Sequence, residues 1–183
     1  ILEVMEKAGC TMITLGVESG DQTILEALKK DITLQQIERA CSLIRKSKIH
    51  CTVNFMFGNP GETWETIRDS INLAKRLHAD YGNFSFLTAF PGSDLYDLAS
   101  EKHWFVHEGQ KDSFGYEQAL INATHIPNGE LGKILPRAYR LFYLRPSYIW
   151  QRLTQFRWME IRNSFRGIGI ILRSLLRSLL HQK

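Results

Sequence analysis

The chemistry-bearing residues of this chain collect where short apolar runs stop. Glu18-Ser19 follows the run at 11–17, and Asn54 lies inside the run at 51–57. That second run ends at Gly58 and turns through Pro60-Gly61-Glu62, and Phe90-Pro91-Gly92-Ser93 follows a third run at 83–88. A carboxylate and an amide at neighbouring strand ends can accept from and donate to the two hydroxyls of a ribose. A glycine such as Gly58 lets backbone approach a flat ring closely. Lys30, at the end of the helical stretch after Glu18, is placed to meet a substrate carboxylate. Plainer roles stand beside these: a helix N-terminal carboxylate for Glu62, a helix C-terminal cation for Lys30, and a solvated strand-end acid for Glu18. Other chemistries lack their residues. There is no Gly-x-x-x-x-Gly-Lys-Ser/Thr loop, no Gly-x-Gly-x-x-Gly, no Gly-x-Ser-x-Gly elbow and no His-Glu-x-x-His.

The elements that must position these residues follow from periodicity. Residues 11–17 are β-branched and apolar, and short enough for a buried strand. A helix capped by Asp21 or Ser19 turns Ile24, Leu25 and Leu28 inward. Thr33 and Gln36 form a capping box before a helix whose apolar stripe is Leu34, Ile37, Cys41 and Ile44. The run 51–57 is apolar on both faces, which predicts a central parallel strand covered on both sides. A helix from Thr63 turns Trp64, Ile67, Ile71 and Ala74 inward, and another begins after Ser93. The strands start about 40 and then 32 residues apart, the size of successive βα units. The fold class expected is therefore α/β with a parallel sheet. Residues 101–129 show no clean period and are read as a connecting loop region with short elements. From Glu130 the pattern is helical, interrupted at Pro136 and Pro146.

Bulk properties set limits. The chain has 183 residues, 44% of them hydrophobic, enough for one sizeable core. It opens at Ile1 inside a helical pattern with no Met start or signal segment, and the expectation is a piece of a longer protein. No window approaches the ~18 apolar residues of a membrane span. Cys10, Cys41 and Cys51 are too scattered for a metal knot or disulfide framework, which points to core thiols and a reducing, cytoplasmic setting. From Arg137 to Lys183, ten Lys/Arg stand against one acid, Glu160; that segment carries +9 and residues 1–136 carry −5. Within it, residues 166–182 form a basic amphipathic helical pattern. It suits docking on the protein itself or on an anionic membrane surface, with peripheral placement on the inner membrane face as the consequence. Nucleic acid fits less well, since the tail's aromatics do not alternate with its arginines.

Taken in order, the motifs resemble a known family. Gly16-Val17-Glu18-Ser19-Gly20-Asp21-Gln22, then Leu25, Lys30 and Thr33, then Phe57-Gly58-Asn59-Pro60-Gly61-Glu62-Thr63, then Phe90-Pro91-Gly92-Ser93-x-Leu95-Tyr96 resemble the second half of a radical S-adenosylmethionine core. The similarity is to the branch in which a cobalamin-binding domain precedes that core, the branch of the anaerobic magnesium-protoporphyrin cyclase. Phe142-Tyr143-Leu144-Arg145-Pro146-Ser147 looks like that branch's C-terminal segment. The resemblance implies a partial (β/α)6 barrel of which this chain holds the fourth to sixth strands. Residues 1–100 would be the second half of the core, 101–129 a connection and 130–183 a basic helical extension.

The resemblance also implies roles. Glu18, with Ser19 beside it, matches a position contacting the ribose or amino-acid part of S-adenosylmethionine. Lys30 matches a basic residue that meets the cofactor's carboxylate in the related oxygen-independent coproporphyrinogen oxidases. Asn54 stands where those relatives carry a ribose-contacting acid. Gly58 and Glu62 lie in an altered adenine motif, and the backbone at Phe90 and Pro91 would border the adenine. The family's Cys-x-x-x-Cys-x-x-Cys, which holds a four-iron–four-sulfur cluster, is absent; it would lie upstream of Ile1, as would a cobalamin domain. The implied protein reductively cleaves S-adenosylmethionine to drive radical or cobalamin-mediated methyl-transfer chemistry on a small molecule, with this chain supplying part of the cofactor wall. Two other readings stand: a non-catalytic α/β scaffold with a docking basic helix, and an enzyme like the transfer-RNA methylthiotransferases. The latter end in a small β-domain, whereas everything after Glu130 here is helical.

Overall fold

The computed structural model describes residues 1–107, 115 and 117–154. The chain divides into two units, 1–145 and 146–183. The first holds a three-stranded sheet of β1 (Met12–Glu18), β2 (His50–Phe57) and β3 (Tyr81–Phe86), all parallel and in the order β1-β2-β3. Each strand neighbours the next in sequence, with no reversal of strand order. That succession is the one that consecutive units of a barrel wall make.

The helices follow from their caps and stripes. After α1 (Leu2–Lys7), α2 (Gln22–Ala27) starts at Asp21, whose side chain accepts from the backbone N–H of Thr23 and Ile24. The capping box predicted for α3 (Leu34–Arg45) is present, with Thr33 and Gln36 bonded reciprocally. A second one, Thr63 with Thr66, opens α4 (Trp64–Arg76). Ser93 caps α5 (Asp94–Glu101). After α6 (Asn128–Leu131) comes α7 (Ile134–Tyr143), which Pro136 does not interrupt. Pro136 lies in its first turn, where a missing N–H costs no hydrogen bond. In the second unit the described residues are α8 (Pro146–Thr154), opened by Pro146 for the same reason; the Arg152 guanidinium lies 5.2 Å over the Tyr148 ring. The predicted tail helix, 166–182, lies outside the described residues.

The expectation of a strand covered on both faces needs correction. One face carries Cys51, Val53, Phe55 and Phe57 of β2 with Phe84 and Phe86 of β3, and all are buried. Helices cover it: Cys41 of α3 brings its sulfur 4.0 Å from that of Cys51, and Phe142 of α7 packs 5.7 Å from Phe84. The other face presents Met12, Thr14, Gly16, His50, Thr52, Asn54, Met56, Tyr81, Asn83 and Ser85, with hydroxyl, amide or imidazole side chains at seven of these ten positions. Asn54 breaks the apolar run, and alternation places it opposite Val53 and Phe55. The apolar character of residues 51–57 therefore came from one face, and the other is the polar lining of a concave wall.

Two tyrosines explain why the sheet stops at β3. The backbone N–H groups of Gly82 and Phe84 donate to the hydroxyls of Tyr143 and Tyr139, at 3.1 and 3.3 Å. Those hydroxyls donate back to the carbonyls of the same residues, at 3.0 and 3.2 Å. Side chains of α7 thus occupy the ladder positions that another strand would need, one of the ways proteins blunt a sheet edge. Gly82 leaves room for this, since a Cβ there would meet Phe142 ring carbons at 3.0–3.2 Å.

Residues 101–129 have more order than their composition suggests. Phe105 bridges Ile121 in antiparallel fashion, and Asn122 N–H donates to the Trp104 carbonyl at 2.7 Å. Leu87, Ala89, Ala99 and Ile121 form a small core with Met56, Leu95, Tyr96, Trp104 and Phe105 packed against it. Further on, Gly61 N–H donates to Ala123 O and His125 N–H to Glu62 O, tying this segment to the turn after β2.

Candidate functional site

The site is assembled at the carboxyl ends of the strands, on the polar face. Glu18 ends β1 at φ +66°, in the left-handed region that costs a non-glycine residue about 1–3 kcal/mol. The β1–β2 register slips between Gly16 and Glu18 at the same place. Together they fold the Glu18 side chain back over Gly16. Lys30 arrives from the turn after α2, where Lys29 also takes a positive φ of 55°. Its Nζ lies 3.3 Å from Glu18 Oε1 and 3.3 Å from the Gly16 carbonyl. The two side chains are 38% and 20% exposed, so the pair is open to an incoming group.

Gly16 is the floor beneath this pair. A Cβ there would sit 2.6 Å from Glu18 Oε1 and 3.3 Å from Lys30 Nζ. Gly16→Ala is therefore expected to push the carboxylate aside with little loss of stability, because its neighbours are side-chain ends. Ligand binding at this site should weaken about tenfold, the scale of one charge-assisted hydrogen bond, while the thermal midpoint stays nearly unchanged. A calorimetric titration beside a melting curve checks both.

Gly16 is in register with Asn54, and Asn54 with Asn83. Asn83 Nδ2 donates to Asn54 Oδ1 at 3.1 Å. Lys30, Glu18, Gly16, Asn54 and Asn83 thus form one polar row across three strands.

The other predicted residues fall into two groups. Ser19 and Glu62 are wholly buried. Ser19 Oγ lies 3.3 Å from Ser70 Oγ of α4, which also accepts from Gly20 N–H at 2.8 Å; Ser19 docks the end of β1 on α4. Glu62 turns back under its own loop. It accepts from Gly58 N–H at 2.7 Å, Asn59 N–H at 3.2 Å and Asn59 Nδ2 at 2.9 Å, while Asn59 Nδ2 also donates to Met56 O at 2.7 Å. Burial pushes its carboxyl up to about 7, against the lowering effect of those three donors. Glu62 therefore shapes the turn that presents Gly58, at φ +91°, and Gly61, at φ +81°. The second group is open: Phe90 is 43% exposed and Pro91 is exposed, in a turn held by Ser93 Oγ donating to Phe90 O at 2.7 Å.

Sequence alone assigns no separate role to Gly16 or Asn59, which stand inside the quoted motifs, and none to Ser70 or Asn83. The only available signal was parity: once Asn54 is placed on the open face, Asn83 shares it by register.

These residues fit a nucleoside bearing a carboxylate: an acid, a cation and two amides line an uncovered polar face, beside turns whose glycines expose backbone. They do not fit a cluster. Cys41 and Cys51 lie buried on the helix-covered face, and contact with Cys41 together with burial holds the Cys51 thiol well above the usual range, protonated. No group of three metal-binding side chains occurs among the described residues. No described helix is long and apolar enough to cross a membrane.

Comparison with known proteins agrees with this geometry. Residues 1–74 match the family described as the Radical SAM superfamily. An uncharacterized methyltransferase of Pyrococcus horikoshii is 29% identical over 168 residues, 92% of this chain and 36% of that protein. The anaerobic magnesium-protoporphyrin IX monomethyl ester cyclase of Rubrivivax gelatinosus is 26% identical over 81% of this chain and 26% of its own length. This chain therefore spans about a third or less of these relatives. Among solved structures, the radical S-adenosylmethionine methyltransferase TsrM from Kitasatospora setae, with cobalamin and a [4Fe-4S] cluster bound, superposes with a TM-score of 0.50 at 24% identity. The match covers 66% of this chain and 24% of that one. It carries the fold assignment: three successive parallel βα units as part of a barrel wall, followed by a helical region. The match of residues 1–74 to the superfamily and the barrel-wall fold shared with TsrM agree, and over its βα units the chain is similar to radical SAM enzymes.

Proposed function

We propose that this chain forms part of the S-adenosylmethionine-binding wall of a radical enzyme of the cobalamin-associated branch, with the cluster-binding cysteines supplied by sequence outside these residues. The observation that carries the reading is the row Lys30–Glu18–Gly16–Asn54–Asn83 on the uncovered face. Glu18 accepts from a ribose hydroxyl or from the amino group of the methionyl part, and Lys30 meets its carboxylate. The turn from Gly58 to Glu62 and the Phe90–Pro91 backbone border the adenine. When bound, a four-iron–four-sulfur cluster supplies the electron that cleaves the sulfonium. What these residues do is hold the nucleoside. Cobalamin enters the reading through TsrM, solved with it, and the methyltransferase relative supports methyl transfer.

The test uses the full-length protein that carries this chain. Its reading frame should hold Cys-x-x-x-Cys-x-x-Cys about 80–130 residues upstream of Ile1, the span of three further βα units. The reconstituted, reduced protein should convert S-adenosylmethionine to 5′-deoxyadenosine or S-adenosylhomocysteine. Glu18→Ala and Lys30→Ala should each weaken binding of S-adenosylmethionine about tenfold or more, the worth of one charge-assisted contact. A complete gene without the cysteine triplet, or wild-type affinity in both variants, would refute the reading.

A further inference from the structure

Asn83 belongs to no motif and reached the site only through strand register. It is exposed, its neighbour Asn54 is half-buried, and the two are paired residues of β3 and β2. Their amides meet in one direction: Asn83 Nδ2 donates to Asn54 Oδ1 at 3.1 Å. With its oxygen engaged by Asn83, what Asn54 has left to offer a ligand is its Nδ2 donors.

The surroundings make this orientation consequential. Glu18 lies folded over Gly16, the register partner of Asn54 on the other side. A carboxylate at 54 would stand beside that of Glu18 with one cation, Lys30, between the two acids' demands, and like charges so placed raise one another's pKa. An amide avoids this, but only if its donor end faces outward; turned round, Asn54 would set a second acceptor beside Glu18. We infer that Asn83 is a positioning residue: it locks the Asn54 amide so that the wall offers a ribose one acceptor, Glu18, and one donor, Asn54. A hydroxyl both donates and accepts, so such a pair of groups is complementary to a ribose and matches a deoxyribose less well. This inference rests on the nucleoside-binding reading above and adds to it the residue that sets the donor–acceptor pattern.

Asn83→Asp and Asn83→Ala separate the roles. Aspartate has no donor for Asn54 Oδ1 and accepts from Asn54 Nδ2 instead, turning the amide round; alanine leaves it unlocked. Binding of 5′-deoxyadenosine and of its 2′-deoxy and 3′-deoxy analogues would be measured by calorimetry on the full-length protein and both variants, with melting curves alongside. The wild type should prefer the ribose form. Asn83→Asp should reduce that preference by roughly five- to tenfold and Asn83→Ala by less, the scale of one neutral hydrogen bond. Midpoints should stay put, since the side chain is exposed. If the wild type binds and discriminates while both variants keep its preference, Asn83 has no positioning role and the wall reading survives. If the wild type binds none of the three, both fall. A preference lost only in step with a lowered melting midpoint would mark Asn83 as structural and overturn the inference.

Discussion

Replacing Gly20 by alanine is expected to separate the end of β1 from α4 and to lower stability by about 3 kcal/mol, the upper end for an overpacked contact. A Cβ at Gly20 would lie 2.5 Å from Ser70 Cα, 2.6 Å from Asp69 O and 2.6 Å from Ser70 N. All three are backbone atoms in the middle of a helix, which cannot swing aside as a side-chain tip can. The same junction carries Gly20 N–H donating to Ser70 Oγ, and Ser70 Oγ donating to Thr66 O at 3.0 Å. Urea unfolding of the full-length protein measures the effect. Ser70→Gly added to Gly20→Ala should not restore stability, because the serine side chain is not what the new methyl meets. A rescue, or a loss below about 0.5 kcal/mol, would show that β1 does not dock as described. Since Glu18 stands two residues before Gly20, ligand binding should fall along with stability. Gly16→Ala should instead lower binding alone.

The second large effect is expected at Glu62. With a folded pKa of about 7 against an ordinary value of 4.5, this carboxyl binds its proton more tightly folded than unfolded. Its contribution to stability is therefore fully present below pH 4.5 and is lost as pH rises through about 7, by about 3 kcal/mol in all. Glu62→Gln should flatten that part of the stability–pH curve. The substitution has its own cost: a glutamine oxygen can still accept from Gly58, but its NH₂ then faces donors of Asn59, a mismatch of about 1–3 kcal/mol. At pH 5 the wild type should thus be the more stable, by about 1 kcal/mol, and by pH 8, after a further loss of about 2.5 kcal/mol, the order should reverse. Glu62→Ala should be the least stable at every pH, leaving Gly58 and Asn59 N–H groups buried without their acceptor. Unfolding midpoints at pH 5, 6, 7 and 8 decide the matter; a gap that stays constant across the range would show that Glu62 keeps an ordinary pKa when folded.

Glu62 also shows why a site is harder to read than a fold. Beside Gly58 and Pro60-Gly61 it has the look of a ligand group, and its helix N-terminal position is equally evident from sequence. Which role the side chain takes depends on Asn59, whose amide and N–H turn it inward, and on the chain at 123–125, which closes over the loop. Ser19 is similar: a strand-end hydroxyl in sequence, it is claimed by Ser70, 51 residues away. Elements whose cause is local were legible: the Thr33–Gln36 box, the helix at Thr63 and three strands at βα spacing need only neighbours within a few residues. The antiparallel contact of 104–106 with 120–122 was not, because its pairing partner is supplied by chain distance rather than by period.

By itself, then, the sequence determined the succession of βα units and pointed to the strand ends as the place to look for a site, with Glu18, Lys30 and Asn54 as its candidate groups. Only the tertiary structure decided which face of the sheet is open. An apolar run such as 51–57 is compatible with cover on one side or two, and the number of covering layers is a property of the whole chain. It also decided that Glu18 folds back over Gly16 to reach Lys30, since this depends on a register slip between strands nearly 40 residues apart. Asn83 entered the site for the same reason. Parity within a strand is written in sequence, but register between strands is set by packing.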